Sequence, residues 1–120
     1  MLEITAVIKS TPFKFTDLDG TETELKVVQR SIGDTMELVK VQTDIGAIDP
    51  NEDTQNLIAK TNKIMFSNLM FTVKRADDGE YFWKDIDDHK KYPREILESI
   101  LEVVLKLNPV DSGDSDTKKN

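Results

Sequence analysis

Hydrophobic and polar residues alternate in two short segments near the start of the chain. Residues 13–16 alternate with period two, and residues 21–28 follow with Leu25 and Val27 on one face. Residues 17–20 (DLDG) lie between them and have turn composition, with Gly20 free to adopt a positive φ. This pattern predicts an N-terminal β-hairpin, and residues 3–9, which alternate in part, are candidates for a third strand.

Helical periodicity begins after residue 30. Ser31 and Asp34 have the spacing of a capping box, and Gly46 follows the last periodic residue. The predicted first helix has an apolar stripe of Ile32, Met36, Val39 and Thr43, widened by Leu38 and Val41.

A second helix is predicted to start at residues 49–52 and to run to about residue 70. Asp49 can accept from exposed amides, Pro50 fits the first helical position, and Glu52 can complete a capping box. The stripe of this helix consists of Leu57, Ile58, Thr61, Ile64, Met65, Asn68 and Leu69.

The next segment combines a turn with aromatic residues. Residues 71–74 form a last helical turn or a short strand, residues 76–79 a turn, and residues 80–84 a second strand of a small hairpin. Tyr81, Phe82 and Trp83 have two interpretations, which the sequence leaves open. In the first, they clamp the core against the helices and Trp83 is partly exposed. In the second, they form a partner-binding patch, because Trp and Tyr are favoured interface anchors.

A third clear helix is predicted from Pro93, with a continuous stripe of Ile96, Leu97, Ile100, Leu101, Val104 and Leu107. Asn108 is expected to adopt the left-handed backbone conformation that ends the helix, and Pro109 prevents the helix from continuing. Residues 1–109 are therefore expected to form one α+β domain, an N-terminal β-hairpin followed by a mainly helical body of three to four helices. Residues 110–120, with one apolar residue, are expected to form a disordered polar tail.

Composition narrows the function. The 120 residues carry a net charge of −7, which disfavours nucleic-acid binding, since phosphate contacts need clustered Lys and Arg. The chain has no cysteine, so disulfides, thiolate zinc sites and thiol catalysis are excluded. Neither a signal peptide nor a stretch of about 20 apolar residues is present, so we expect a cytoplasmic protein with no membrane contact.

Candidate chemistry is sparse. Asp87, Asp88 and His89 include metal-ligating side chains, but adjacent residues seldom converge on one ion, so a solvated charged loop is expected. The turns around Gly20 and Gly79 do not fit an EF-hand loop, which needs an acid five residues before its glycine and a Glu six residues after it. Those places hold Phe15 and Lys26 for Gly20, and Lys74 and Asp85 for Gly79. No catalytic motif or cofactor fingerprint is present, so the sequence predicts a protein that is not an enzyme and that binds no cofactor or metal.

Several segments together resemble one protein family. They are residues 30–34 (RSIGD), 78–83 (DGEYFW), 92–97 (YPREIL), 104–109 (VLKLNP) and 118–120 (KKN). Their order along most of the chain resembles that of the tail assembly chaperones of long-tailed bacteriophages.

This resemblance implies a small, acidic, weakly self-associating protein of the host bacterial cytoplasm. It implies binding to a tape measure protein and recruitment of tail tube subunits, and it supplies no individual binding residue. Two other hypotheses are a structural virion or adaptor subunit and a small acidic inhibitor of a host enzyme.

Overall fold

A computed structural model describes residues 1–109 and shows an α+β fold. The elements in chain order are β1 (Ser10–Thr16), β2 (Glu22–Val28), α1 (Ile32–Ile45), α2 (Thr54–Met70), β3 (Val73–Arg75), a 3₁₀ helix (Ile86–Lys91) and α3 (Arg94–Leu107). The prediction of a hairpin followed by a helical body is confirmed, with four helices in that body. The predicted tail, residues 110–120, lies outside the described residues.

The hairpin has the predicted centre and turn. Phe13 lies opposite Leu25 in the antiparallel β1–β2 pair. The turn is closed by a hydrogen bond from the Gly20 amide to the Asp17 carbonyl (2.9 Å), and Gly20 has a φ of +88°, which a side chain would disfavour. β1 lies at the edge of the sheet and contains Pro12, which has no amide hydrogen to donate.

The third strand comes from a different part of the chain than residues 3–9. β3 pairs antiparallel with β2 and completes the order β1-β2-β3, so the suggestion of a strand at residues 3–9 is wrong. Beyond the start of β1, Lys9 exchanges hydrogen bonds with Gln29, while residues 1–8 belong to no strand and are exposed. β2 bonds to β3 because the end of α2 delivers that strand beside it, a non-local pairing that alternation does not reveal.

α2 begins later than predicted. Its N-cap is Asp53, whose carboxylate accepts from the Asn56 amide at 2.9 Å. Residues 49–52 form a separate turn, in which Asp49 accepts from the Asn51 amide and Glu52 accepts from the Asp49 amide. Two acceptors four residues apart both have cap chemistry, and the helix uses the second.

Two short segments differ from prediction after β3. Residues 80–84 form one isolated bridge, Lys74 to Tyr81, instead of a full strand. Residues 86–91, expected to be a solvated loop, form a 3₁₀ helix whose cap is Asp85.

α3 occupies the predicted place but ends differently. Asn108 has a φ of −130°, so the expected left-handed stop is wrong. Its side-chain amide instead donates to the Val104 and Val28 carbonyls, and its oxygen accepts from the Arg30 amide at 2.8 Å. These bonds satisfy backbone groups at the end of α3 and fasten the helix to the end of β2.

The core lies between the inner face of the sheet and the helices. The α3 stripe supplies Leu97, Ile100 and Val104, all buried, while Leu101 is half-buried. The other fully buried large side chains of the core are Leu25, Val27, Phe66, Leu69 and Val73. This core is completed largely without α1, which contributes one buried apolar residue, Leu38.

Candidate functional site

α1 has apolar residues on two opposite sides. At about 100° per residue, Ile32, Met36 and Val39 fall within about 60° of one another. Leu38 and Val41 lie on the opposite side, which faces the core. The prediction that Leu38 and Val41 widen one stripe with Ile32, Met36 and Val39 is wrong, because the two sets face opposite ways and the second set is exposed.

The outward side of α1 is exposed to an unusual degree. Ile32 is 81% exposed, Met36 63%, Val39 54%, and Ile48, in the loop after the helix, 48%. We call these four residues the α1 face. Single exposed apolar side chains are ordinary, but a set aligned along one helix is typical of a binding surface.

A groove continues the α1 face toward α2. It has a volume of about 420 Å³ and is lined by Val39, Gln42, Thr43, Gly46, Ala47, Ile48 and Ile64. Gly46 caps α1 with a φ of +92°, which turns the chain and places Ile48 beside the helix end. The groove is therefore bounded by one helix on each side.

The α1 face lies in an acidic part of the chain. Residues 31–56 contain six carboxylates and one lysine, which accounts for most of the net charge of −7. Glu37 is 3.7 Å from Lys40, and Glu52 is 2.7 Å from Lys60 of α2. Asp44, Asp49 and Asp53 take part in no ion pair within residues 1–109, so they leave negative charge around the apolar surface.

Asp34 holds α1 in place from the inner side. Its carboxylate accepts from the Ser31 amide (3.2 Å), from Lys74 Nζ (3.3 Å) and from the Tyr81 hydroxyl, and the Ser31 hydroxyl accepts from the Asp34 amide. This is the predicted capping box, and it also ties α1 to β3. Burial alone would raise the pKa of Asp34, but the Tyr81 and Ser31 hydrogen bonds and the Lys74 ammonium hold it below its ordinary value.

We expect Asp34→Asn to lower the free energy of unfolding at neutral pH by about 1–3 kcal/mol, because the bonds to a charged, buried acceptor are weakened. Since the pKa of Asp34 is lower in the folded than in the unfolded chain, this contribution is complete above about pH 4 and disappears as pH falls through the folded pKa. Urea titrations at several pH values should therefore give free energies of unfolding for the parent and for Asp34→Asn that converge in acid.

Asp44→Asn is the matched control for this pH series, since Asp44 is exposed on the same helix and forms no ion pair with any residue of the described range 1–109. It should change the free energy of unfolding by less than about 0.5 kcal/mol. If the difference in the free energy of unfolding between Asp34→Asn and the parent stayed constant down to acid pH, the assigned role of the carboxylate would be contradicted.

The aromatic run lies mainly inside the protein. Trp83 is 3% exposed, so the expectation that it is partly exposed is wrong, and Tyr81 and Phe82 are partly buried. The indole N–H donates to the Tyr92 hydroxyl at 3.1 Å, and that hydroxyl donates to Asp17 at 3.0 Å. Burial raises the pKa of Tyr92 to about 12, to which the Asp17 carboxylate contributes, so the hydroxyl stays protonated and can donate. The run therefore joins the sheet to the 3₁₀ helix.

His89 is a buried residue, not part of a solvated loop. Its Nδ1 is 2.7 Å from the Ile86 carbonyl, and its ring packs on Phe66 with 5.9 Å between centroids. Asp87 and Asp88 instead pair with Lys90 and Lys91. In the described part of the chain, no group of three His, Cys, Asp or Glu side chains is arranged to hold a metal ion.

A smaller cavity of about 240 Å³ lies beside His89. It is lined by Asn62, Met65, His89, Lys90, Tyr92, Arg94 and Leu97. Arg94 is already bonded to Asn62 (3.0 Å) and Glu98 (2.8 Å), and these contacts join α2 to α3. The polar groups here connect helices, so the α1 face is the stronger candidate site.

No protein-family model, curated protein or solved structure matches this chain. Within residues 1–109, no helix has the length and apolar character needed to cross a membrane.

Proposed function

We propose that this protein is a non-catalytic tail assembly chaperone of a long-tailed bacteriophage. In this role it binds the tape measure protein in the bacterial cytoplasm and recruits tail tube subunits. The observation that carries the proposal is the α1 face, an aligned apolar surface that the rest of the described chain leaves uncovered. The family resemblance of the sequence supplies the particular partners.

The energetics of the α1 face support a binding role. Burial of an exposed Ile, Met or Val side chain stabilises a complex by about 1.5–3 kcal/mol before the costs of association. The helix does not need this surface for folding, because Asp34 and Leu38 attach it from the inner side. The four residues are therefore available to a partner.

A chaperone role also fits the charge. A long tape measure protein with exposed apolar stripes would aggregate before the tail forms, and a small acidic protein that covers those stripes would keep it in solution. Repulsion between neighbouring bound copies would limit their uncontrolled association.

Co-expression with a candidate tape measure protein tests this function. The parent protein should increase the soluble fraction of the tape measure protein and co-purify with it. The double variant Met36→Ala and Val39→Ala should lose most of that effect, because it removes apolar contact area without introducing charge.

The matched control is the double variant Glu37→Ala and Lys40→Ala, which changes an exposed ion pair on the same helix. It should keep the tape measure protein soluble as the parent does. If the tape measure protein is equally soluble with and without the parent protein, the chaperone proposal is wrong.

A further inference from the structure

The α1 face and its groove indicate the structure of the segment that binds there. Ile32, Met36, Val39 and Thr43 follow one another at one-turn spacing, over about 16 Å of helix. The groove lies between α1 and Ile64 of α2, and a third helix that packed on this side of α1 would lie at an interaxial distance of about 8–10 Å. Three turns of a partner helix would span this length.

Backbone hydrogen bonding also favours a helical partner. An extended peptide would bring unpaired amides and carbonyls to the surface, and burial of such groups is costly. The exposed side of α1 presents side chains, since the backbone groups within the helix bond to one another. A helix satisfies its own backbone, so it can bury its apolar side here.

Charge determines the flanks of that helix. Asp44 and Asp49 are exposed and unpaired within residues 1–109, and they adjoin groove residues Thr43 and Ile48. A partner with Lys or Arg beside its apolar stripe would place cations near these carboxylates, whereas an acidic flank would be repelled. A second copy of this chain would bring two acidic 31–56 segments together, which disfavours pairing of two α1 faces.

We propose that the α1 face and groove bind an amphipathic helix whose apolar stripe is flanked by Lys and Arg. This inference deepens the proposed function and rests on it only in treating the α1 face as a binding surface. It assigns the chemical class of the bound segment, in which the apolar stripe gives affinity and the basic flanks give orientation and preference.

Three labelled synthetic peptides of equal length test the proposal against the full-length protein by fluorescence anisotropy. The first has a Leu stripe at helical spacing flanked by Lys, the second has the same stripe flanked by Glu, and the third has the composition of the first in an order without helical periodicity. The Lys-flanked peptide should bind at least about 10-fold more tightly than either of the others, and added salt should reduce that advantage.

Variants of the protein separate the two contributions. Met36→Ala with Val39→Ala should weaken binding of the Lys-flanked peptide, whereas Asp44→Lys with Asp49→Lys should shift the preference toward the Glu-flanked peptide. Glu102→Lys, at an exposed position of α3, is the control. It should change neither the affinity for the Lys-flanked peptide nor the preference between the Lys-flanked and Glu-flanked peptides. Equal binding of all three peptides, or no binding of any, would overturn the proposal.

The peptide and co-expression experiments can fail separately. Lys-flanked binding without any effect on the tape measure protein would contradict the chaperone proposal and leave the assigned helix class standing. Solubilisation of the tape measure protein without any preference among the peptides would contradict the assigned helix class and leave the chaperone proposal standing.

Discussion

Trp83→Ala is expected to lower the free energy of unfolding by about 3–5 kcal/mol, because it opens a cavity that the surrounding aromatic rings cannot fill. The Trp83 ring lies 5.3 Å from Phe66, 5.8 Å from Phe15 and 5.7 Å from Tyr92, measured between centroids. Urea denaturation followed by far-ultraviolet circular dichroism measures the loss, since the variant lacks the only tryptophan.

Trp83→Phe separates packing from hydrogen bonding at this position. It retains an aromatic ring but removes the indole N–H, and the Tyr92 hydroxyl keeps its acceptor in Asp17. We expect a smaller loss than for alanine. A loss below about 0.5 kcal/mol for Trp83→Ala would show that the side chain is not in the core. Because of this stability effect, lost partner binding in Trp83→Ala would not by itself locate a binding surface.

Phe66→Ala is expected to cost a similar amount, about 3–5 kcal/mol. Phe66 is fully buried on α2 and lies between the rings of Trp83 and His89. Removing it separates α2 from both the aromatic run and the 3₁₀ helix. The same denaturation experiment measures the change in the free energy of unfolding. In this variant Trp83 fluorescence can also follow the unfolding.

Ile58→Ala is the matched control on α2, since Ile58 is 54% exposed. It should change the free energy of unfolding by less than about 0.5 kcal/mol. If Ile58→Ala and Phe66→Ala proved equally destabilising, the inward and outward sides of α2 would be wrongly assigned.

Features that depend on neighbouring residues could be predicted from the sequence. The β1–β2 hairpin follows from alternation and a glycine turn, and the Ser31–Asp34 capping box is a local pairing. α3 was also predictable, because its single continuous stripe leaves one way to face the core. In each case one local pattern had no competitor.

Where two local patterns competed, the tertiary structure decided. α1 has apolar residues on both sides, and its tertiary contacts determine which side faces inward, among them those of Asp34 with Lys74 and Tyr81 and the packing of Leu38 in the core. The candidate site was therefore missed, although six carboxylates against one lysine across residues 31–56 are visible in the sequence. An apolar helix side inside such an acidic segment is the pattern that could have indicated it.

Non-local pairings could not be predicted in this way. β3 bonds to β2 across more than forty residues of chain, with Val73 opposite Val27. His89 is buried because Phe66, from a different helix, packs on its ring. Neither partner is identified by periodicity near the residue itself.

Pro12 limits how this protein can polymerise. An edge strand with free amides is a template on which another chain can add a strand, and repeated addition leads to fibrils. Pro12 interrupts the row of donors at the middle of β1, and the charged Lys14 follows two residues later. Templated strand addition at this edge is thus suppressed even at high local concentrations of the protein.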